Sequence, residues 1–258
     1  MNNMNNLNDQ THVLCSRIKS SKHFVVFSGA GMSLESGIPT FRGEEGIWSK
    51  YNPNVLDIDY FYSYPEKSWP VIREIFYDYF DAAKPNIGHR VLGLLQQINL
   101  LKAIITQNID NLHQEGGAKT VYEFHGNSKY LICTKCQSRK HVNDSDLKIL
   151  PVTCSSCKGL MKPDFIFFGE GIPAFAYEMS FKLAREADLL LIVGSTGEVM
   201  PAAMVPYEAK RSGAYVVEIN PKPSSFTSSV TDLFIQAKAG ETLNEVAKYL
   251  GLADELIN

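Results

Sequence analysis

Cys133-Thr134-Lys135-Cys136 and Cys154-Ser155-Ser156-Cys157 set four thiols in two Cys-x-x-Cys pairs with seventeen residues between them. Four thiolates at that spacing can close tetrahedrally around one zinc ion, and a site with four protein ligands keeps no position open for a substrate. The chemistry expected of Cys133, Cys136, Cys154 and Cys157 is therefore structural. A redox Cys-x-x-Cys comes singly beside a βαβ pattern, and a disulfide framework implies secretion, so neither accounts for two pairs. The remaining cysteine, Cys15, falls in an amphipathic stretch and reads as a core residue.

A second group of residues could hold a phosphate. The apolar run Phe24-Val25-Val26-Phe27-Ser28 has the composition of a buried parallel strand, and it opens directly into Gly29-Ala30-Gly31. Glycines at such a turn let the backbone approach a pyrophosphate, and unpaired N–H groups at a helix start can bind it. Ser33 and Ser36 add hydroxyls there, while Leu34 occupies the place of the third glycine in the usual dinucleotide fingerprint. A third group, Thr106-Gln107-Asn108-Ile109-Asp110 and Glu123-Phe124-His125-Gly126, follows the short apolar runs 103–105 and 121–122. In an open α/β sheet, polar residues at strand C-terminal ends are where a ligand sits.

The elements that must position these groups read as a discontinuous α/β domain. Residues 9–20 are expected to form a helix with Val13, Leu14 and Ile18 on its apolar face, and residues 86–98 a helix covering the sheet with Val91, Leu92, Leu95 and Ile98. Two further apolar strands, 189–193 and 214–219, end in Gly194-Ser195-Thr196 and Asn220-Pro221, with helices over 202–211 and 241–250. Between them come two insertions. Residues 44–84 are rich in aromatics, including Trp48, Tyr51, Tyr60, Phe61, Tyr62, Tyr64, Trp69, Phe76, Tyr77, Tyr79 and Phe80, most of them expected in a core. Residues 126–162 carry the cysteines, and Lys135, Arg139, Lys140, His141, Lys148, Lys158 and Lys162 read there as a solvated basic face. The expected fold class is α/β. A Rossmann-like doubly wound parallel sheet is built from 1–43, 85–125 and 163–258, and a smaller inserted domain from the helical module and the four-cysteine zinc module.

Composition agrees. The 258 residues are 45% hydrophobic and 21% charged, values ordinary for a globular chain and unlike wholesale disorder. A net charge of −3 provides no basic field, so nucleic acid is not an expected direct ligand. No apolar run approaches the length of a membrane span, and the polar Met1-Asn2-Asn3-Met4-Asn5-Asn6 lacks the features of a signal peptide. Zinc-type cysteines without such a signal point to a reducing compartment, so the expectation is cytoplasmic.

Taken together and in this order, the Gly-Ala-Gly loop, Thr-Gln-Asn-Ile-Asp, His-Gly, the four cysteines, Phe167-Phe168-Gly169-Glu170, Gly194-Ser195-Thr196 and Ile219-Asn220 resemble the sirtuins, the NAD-dependent protein lysine deacylases. The likeness runs from about residue 23 to about residue 243. It implies NAD as co-substrate, one structural zinc, and acyl-lysine proteins or peptides as partners of a monomeric enzyme. His125 matches the catalytic base, an imidazole that titrates near neutrality and so suits a sugar hydroxyl. Asn108 matches the residue on the nicotinamide-side ribose and a nearby water, Asp110 the partner of the nicotinamide carboxamide, and Gln107 and Ile109 line the same pocket. Asn108 and Asp110 could also cap a helix starting there.

Gly29, Ala30, Gly31, Ser33, Leu34, Phe41 and Arg42 match the pyrophosphate and nicotinamide-ribose contacts, with Phe41 as a lid over freed nicotinamide. Gly194, Ser195, Thr196, Asn220, Pro221 and Ala239 match the adenosine side. Ile166, Phe168, Gly169 and Glu170 resemble the strand that pairs with the substrate backbone, opposite Val199, which implies loose sequence selectivity. The implied reaction consumes NAD: acyl oxygen attacks the anomeric carbon, nicotinamide leaves, the acyl group moves to the sugar, and water releases free lysine beside O-acyl-ADP-ribose. An ADP-ribosyltransferase or NAD hydrolase using the same pocket is the alternative.

Three departures from the family pattern stand out. Thr40 replaces an aspartate in Gly-Ile-Pro-Asp-Phe-Arg-Gly, and Gly194-Ser195-Thr196 inverts the commoner Gly-Thr-Ser. The Tyr-x-x-Arg of the succinyl- and malonyl-preferring branch is absent, because Tyr77 and Tyr79 are followed three residues on by Phe80 and Ala82. A negatively charged acyl group then lacks a bidentate partner, so neutral acyl groups are expected.

Overall fold

The computed structural model describes residues 2–41, 46–78 and 83–256, with side chains from Leu7 onward. Arg42, Tyr79, Phe80 and Ala82, all invoked above, lie outside the described residues.

Six strands form one parallel sheet: β1 Phe24–Ser28, β2 Leu101–Thr106, β3 Val121–Glu123, then β7 Leu189–Val193, β8 Tyr215–Asn220 and β9 Leu233–Gln236. Their spatial order is β3-β2-β1-β7-β8-β9, so the chain works outward from β1 on one side and from β7 on the other. The crevice at that reversal is where a doubly wound sheet binds its ligand. β1 and β7 are buried along their whole length, and alternate residues serve opposite faces. Phe24, Val26, Leu189, Leu191 and Val193 pack toward the helices Asn2–Ser20, Ile87–Gln97 and Ala239–Tyr249. Val25, Phe27, Leu190 and Ile192 pack toward Ala184, Val205, Ala209 and Phe226, on the side of the helices Ala174–Glu186 and Met204–Arg211.

Helix positions refine the sequence expectations. The first helix begins at Asn2, and its buried stripe is Thr11, Leu14, Cys15 and Ile18, with three- and four-residue steps. Val13 falls off that stripe and is 42% exposed, contrary to its expected place on the apolar face. Ile98 likewise lies past the end of Ile87–Gln97 and is 39% exposed. That helix is started by Asn86, whose Oδ1 accepts the Gly88 N–H (2.9 Å) while its own N–H donates to His89 Nδ1 (3.3 Å).

The second core is small and shared by both insertions. β4 Gly126–Cys133, β5 Arg139–His141 and β6 Met161–Phe165 make an antiparallel sheet in the order β5-β4-β6. Its Leu131, Cys133, Cys154, Met161 and Phe165 pack with Ile47, Phe61, Trp69 and Phe76 of the helical module. Of the aromatics expected in a core, Phe61, Trp69 and Phe76 are buried, Trp48, Tyr51, Tyr60 and Tyr77 are half-buried, and Tyr62 and Tyr64 face solvent. Lys162 is also a correction. It is 6% exposed rather than part of a solvated face, and its ammonium donates to the Pro163 and Phe165 carbonyls and pairs with Glu170 at 2.9 Å.

Candidate functional site

The glycine turn is fixed by its contact with the turn after β7. Gly29 N–H donates to Val193 O (3.0 Å) and Gly31 N–H to Gly194 O (2.9 Å). A Cβ on Gly31 would lie 2.7 Å from Gly194 Cα, so no side chain fits where the two backbones cross. The segment that follows, Ala30–Ser36, is a 3-10 helix rather than the α-helix implied by the dinucleotide comparison, and Gly37 ends it with φ +89. Leu34 is exposed at 47%, and Ala239 abuts the same turn, since Glu35 accepts the N–H of the adjacent Gly240 (2.7 Å).

Below that turn, the loop after β2 brings three of the expected polar residues together. Ser33 Oγ donates to Asp110 Oδ2 (2.6 Å), and Asn108 Nδ2 donates to Gly29 O and Ser33 Oγ (both 3.1 Å). Asp110 Oδ1 accepts the Leu112 N–H (2.9 Å), the first of the short helix Leu112–Glu115, whose N-cap position is Asn111 rather than Asp110. Burial pushes the Asp110 carboxyl up, against the opposing pull of its Ser33 and Leu112 donors. Gln107 Nε2 donates to Ser195 Oγ (2.8 Å), and Asn220 Nδ2 donates to Ser195 O (3.0 Å), which ties the loops after β2, β7 and β8 into one rim. Ile109 turns the other way, into the small core, with its carbonyl accepting from Ser128.

His125 stands on the same rim, its Nδ1 3.1 Å from Gln107 O. A carbonyl only accepts, so Nδ1 carries the proton and the free lone pair is on Nε2. Desolvation by burial lowers its pKa from the ordinary histidine value, while the bond to Gln107 pulls the other way. The His125 carbonyl accepts the N–H of Ile166 (2.8 Å), so the segment 166–170 starts at His125. Phe168 pairs with the helical module through Leu56 O (2.8 Å) and Ile58 N–H (3.0 Å), and its ring is 46% exposed. Glu170 turns its carboxylate back to the Phe167 N–H (2.7 Å) and Lys162, so it is committed within the chain. Phe41 rests on Trp48 and Phe76 at ring distances of 5.5 and 6.2 Å. Among the remaining expected contacts, Thr196 and Pro221 are exposed, and Val199 is held by its carbonyl at the turn into Ala203.

The four zinc-type cysteines converge. Their sulfurs lie within 4.8 Å of one another, with Cys133 and Cys157 at 3.4 Å and Cys136 and Cys154 at 3.8 Å. A tetrahedral zinc with Zn–S near ~2.3 Å requires sulfur separations of ~3.8 Å, so the cluster fits one ion.

One structural chain went unread in the sequence. Ser28 Oγ donates to Thr106 Oγ1 (2.9 Å) and meets His113 Nε2 (2.8 Å), and Thr106 Oγ1 accepts the Asn108 N–H (3.0 Å). Ser28 and Thr106 face each other in the β1–β2 register, so strand ends alone set this bridge. Burial holds the His113 imidazole neutral, well below the ordinary histidine range. Thr106→Val removes the shared oxygen without changing shape and is expected to destabilise the fold by ~1–3 kcal/mol, read as a lower denaturant midpoint at unchanged slope. An unchanged midpoint would show that the bridge contributes nothing to stability.

A glycine turn at the switch point of a doubly wound sheet, a buried amide–carboxylate loop beneath it, and an imidazole at the start of the segment 166–170 define the class: an α/β enzyme working on a dinucleotide. The model of the Sir2 family matches residues 29–201, and the chain belongs to that family. It is 41% identical over 238 residues to an NAD-dependent protein deacylase of Pyrococcus furiosus, covering 90% of this chain and 94% of that one. It is 42% identical over 230 residues to NAD-dependent protein deacylase 2 of Pyrobaculum aerophilum, covering 88% and 90%. Among solved structures, a complex of Sir2, a p53 peptide and NAD+ matches with TM-score 0.86 at 35% identity, covering 93% of this chain and 98% of that one. A Sir2 bound to a propionylated peptide matches with TM-score 0.86 at 34% identity, covering 94% and 99%.

Proposed function

We propose that this chain is an NAD-dependent protein lysine deacylase that transfers the acyl group to ADP-ribose and releases nicotinamide. The observation that carries the reading is the single rim on which His125 Nδ1 is bound to Gln107 O, Gln107 to Ser195, and the His125 carbonyl to Ile166. A base, a dinucleotide crevice and a peptide edge thus meet at one imidazole.

The co-substrate's phosphates would lie over Gly29, Ala30 and Gly31, the nicotinamide half over Ser33, Asn108 and Asp110, and the adenosine half over Gly194, Ser195 and Asn220. Phe41 would close over the reacting end, and Arg42 belongs to the same reading as a co-substrate contact. Asn108 and Asp110 are held by Gly29 and Ser33, so they need little reorganisation to orient a carboxamide and a ribose. His125 Nε2 would take the proton of a ribose hydroxyl. The acyl-lysine peptide would run beside Ile166, Phe168, Gly169 and Glu170, across from Val199. The domain division 1–43, 85–125 and 163–258, with insertions 44–84 and 126–162, belongs to the same reading. So do a monomeric state, a cytoplasmic setting and the absence of nucleic-acid or membrane partners. The sharing of one core by the two insertions supports treating them as one lobe.

Incubation with an acetyl-lysine peptide and NAD should yield free lysine, nicotinamide and O-acetyl-ADP-ribose by mass spectrometry, and no product without NAD. Cleavage of NAD to ADP-ribose with the peptide untouched would transfer the assignment to a hydrolase or ADP-ribosyltransferase. Succinyl-lysine should turn over more slowly than acetyl-lysine, since no arginine follows Tyr77 or Tyr79 at three residues. The reverse order would overturn the neutral-acyl preference.

A further inference from the structure

We propose that Glu218 is a positioning residue for the adenosine half of the co-substrate: it fixes the Asn220 carboxamide so that Oδ1 alone is presented to a ribose hydroxyl. This rests on the NAD reading above.

Glu218 is 0% exposed and lies in the middle of β8, opposite Ile192 of β7 and Phe234 of β9. A carboxylate is almost never fully buried unless its charge is answered. Here four neutral donors answer it. Asn220 Nδ2 (2.8 Å) and Ser224 Oγ (2.5 Å) donate to Oε1, and the hydroxyls of Thr227 and Thr231 (both 2.9 Å) donate to Oε2. Three of the four come from the turn after β8, so the carboxylate gathers that turn beneath the strand end.

The fourth donor has the functional consequence. Asn220 Nδ2 bonds both Glu218 Oε1 and Ser195 O, which are acceptors only. Only the NH2 of the amide can face them, so the orientation of Asn220 is dictated by chemistry. Its Oδ1 is left as an acceptor at the end of β8, the complement of a hydroxyl. Ser195 in turn takes the Gln107 amide on its Oγ, and Gln107 O holds His125, so the same network reaches the base. A glutamine at 218 would place an NH2 among four donors. Where that NH2 meets Asn220, neither face of the amide suits both neighbours, because turning it over would set Oδ1 against Ser195 O, so the carboxamide is no longer held before the ribose.

A role confined to folding would weaken every nucleotide equally, and the test separates the two. Binding of NAD and of its 2′-deoxy and 3′-deoxy analogues, each altered in the adenosine ribose, is measured by calorimetry on the wild type and on Glu218→Gln. The wild type is expected to bind at least one analogue about tenfold more weakly than NAD, the equivalent of one lost hydrogen bond. Glu218→Gln should weaken NAD to the level of that analogue, leave the analogue itself little changed, and so abolish the discrimination. Glu218→Asp keeps the charge but withdraws it by one methylene from Asn220, and should lose the discrimination too. It serves where the glutamine variant does not fold. Equal weakening of all three nucleotides, retained discrimination in both variants, or a wild type blind to both hydroxyls would overturn the proposal. A wild type that binds no NAD would overturn the underlying function and the proposal with it.

Discussion

Replacing His125 by alanine is expected to lower deacylation about 10²–10⁴-fold while NAD still binds, the range lost when a positioned general base is removed. The imidazole is oriented by its neighbour: Nδ1 is committed to Gln107 O at 3.1 Å, so the basic lone pair is on Nε2. Alanine leaves Gln107 its side-chain bond to Ser195, and leaves Asn108 and Asp110 theirs to Gly29 and Ser33, so the dinucleotide crevice keeps its shape. The pH dependence follows from the sign of the shift. A base works in its neutral form, and burial lowers the His125 pKa below the ordinary histidine value. Activity should therefore rise with pH along an acid limb centred below ~6.5 and stay flat through neutrality. Rate profiles on an acetyl-lysine peptide, with calorimetric titration of NAD on the variant, check both parts. Full turnover without His125 would remove it as the base. Loss of NAD affinity in proportion to rate would make it a binding residue instead.

What the sequence made legible is what depends on local chemistry. Residues 24–27 announced β1 because a strand covered on both faces reads as a continuous apolar run. The cysteine pairs announced their cluster because metal ligation leaves a spacing. Other features depend on partners distant in sequence. Val13 and Ile98 looked as apolar as their neighbours, and only the phase of each helix against the sheet put them outside. Lys162 resembled the other lysines of its segment until Glu170, eight residues on, folded back to meet it among carbonyls. Ser28, Thr106 and His113 form a bridge that no single stretch encodes, since β1 and β2 must first pair in register. Glu218 did carry a signal: a lone charge in the apolar run Tyr215–Asn220 requires buried donors to answer it.

Removal of zinc is expected to abolish turnover although the metal touches no substrate. Cys133 and Cys154 belong to the same small core as Phe61, Trp69, Phe76, Phe165 and Phe167, and Ile109 of the loop after β2 packs into that core as well. Without the ion, four thiols within 4.8 Å of one another lose their common partner, and β4 and β6 lose the link that closes their far ends. Structural zinc supplies folding free energy outright, and small zinc modules come apart without it. The disturbance must reach the site by two routes: through Ile109 to Asn108 and Asp110, and through Phe165 and Phe167 to the peptide edge that starts at His125. Metal analysis should find one zinc per chain. Chelation under mild heating, or Cys154→Ser, should lower the melting temperature by roughly 10 °C or more. Hydrogen exchange should then rise in β4, β6 and around Trp69. Protection should persist in β1 and β7, whose partners are the large helices and not the zinc lobe. NAD affinity should fall less than turnover, because Gly29 and Gly31 are braced by Val193 and Gly194 from the large sheet. A zinc-free protein with unchanged melting and turnover would show that the small core stands on its apolar contacts alone.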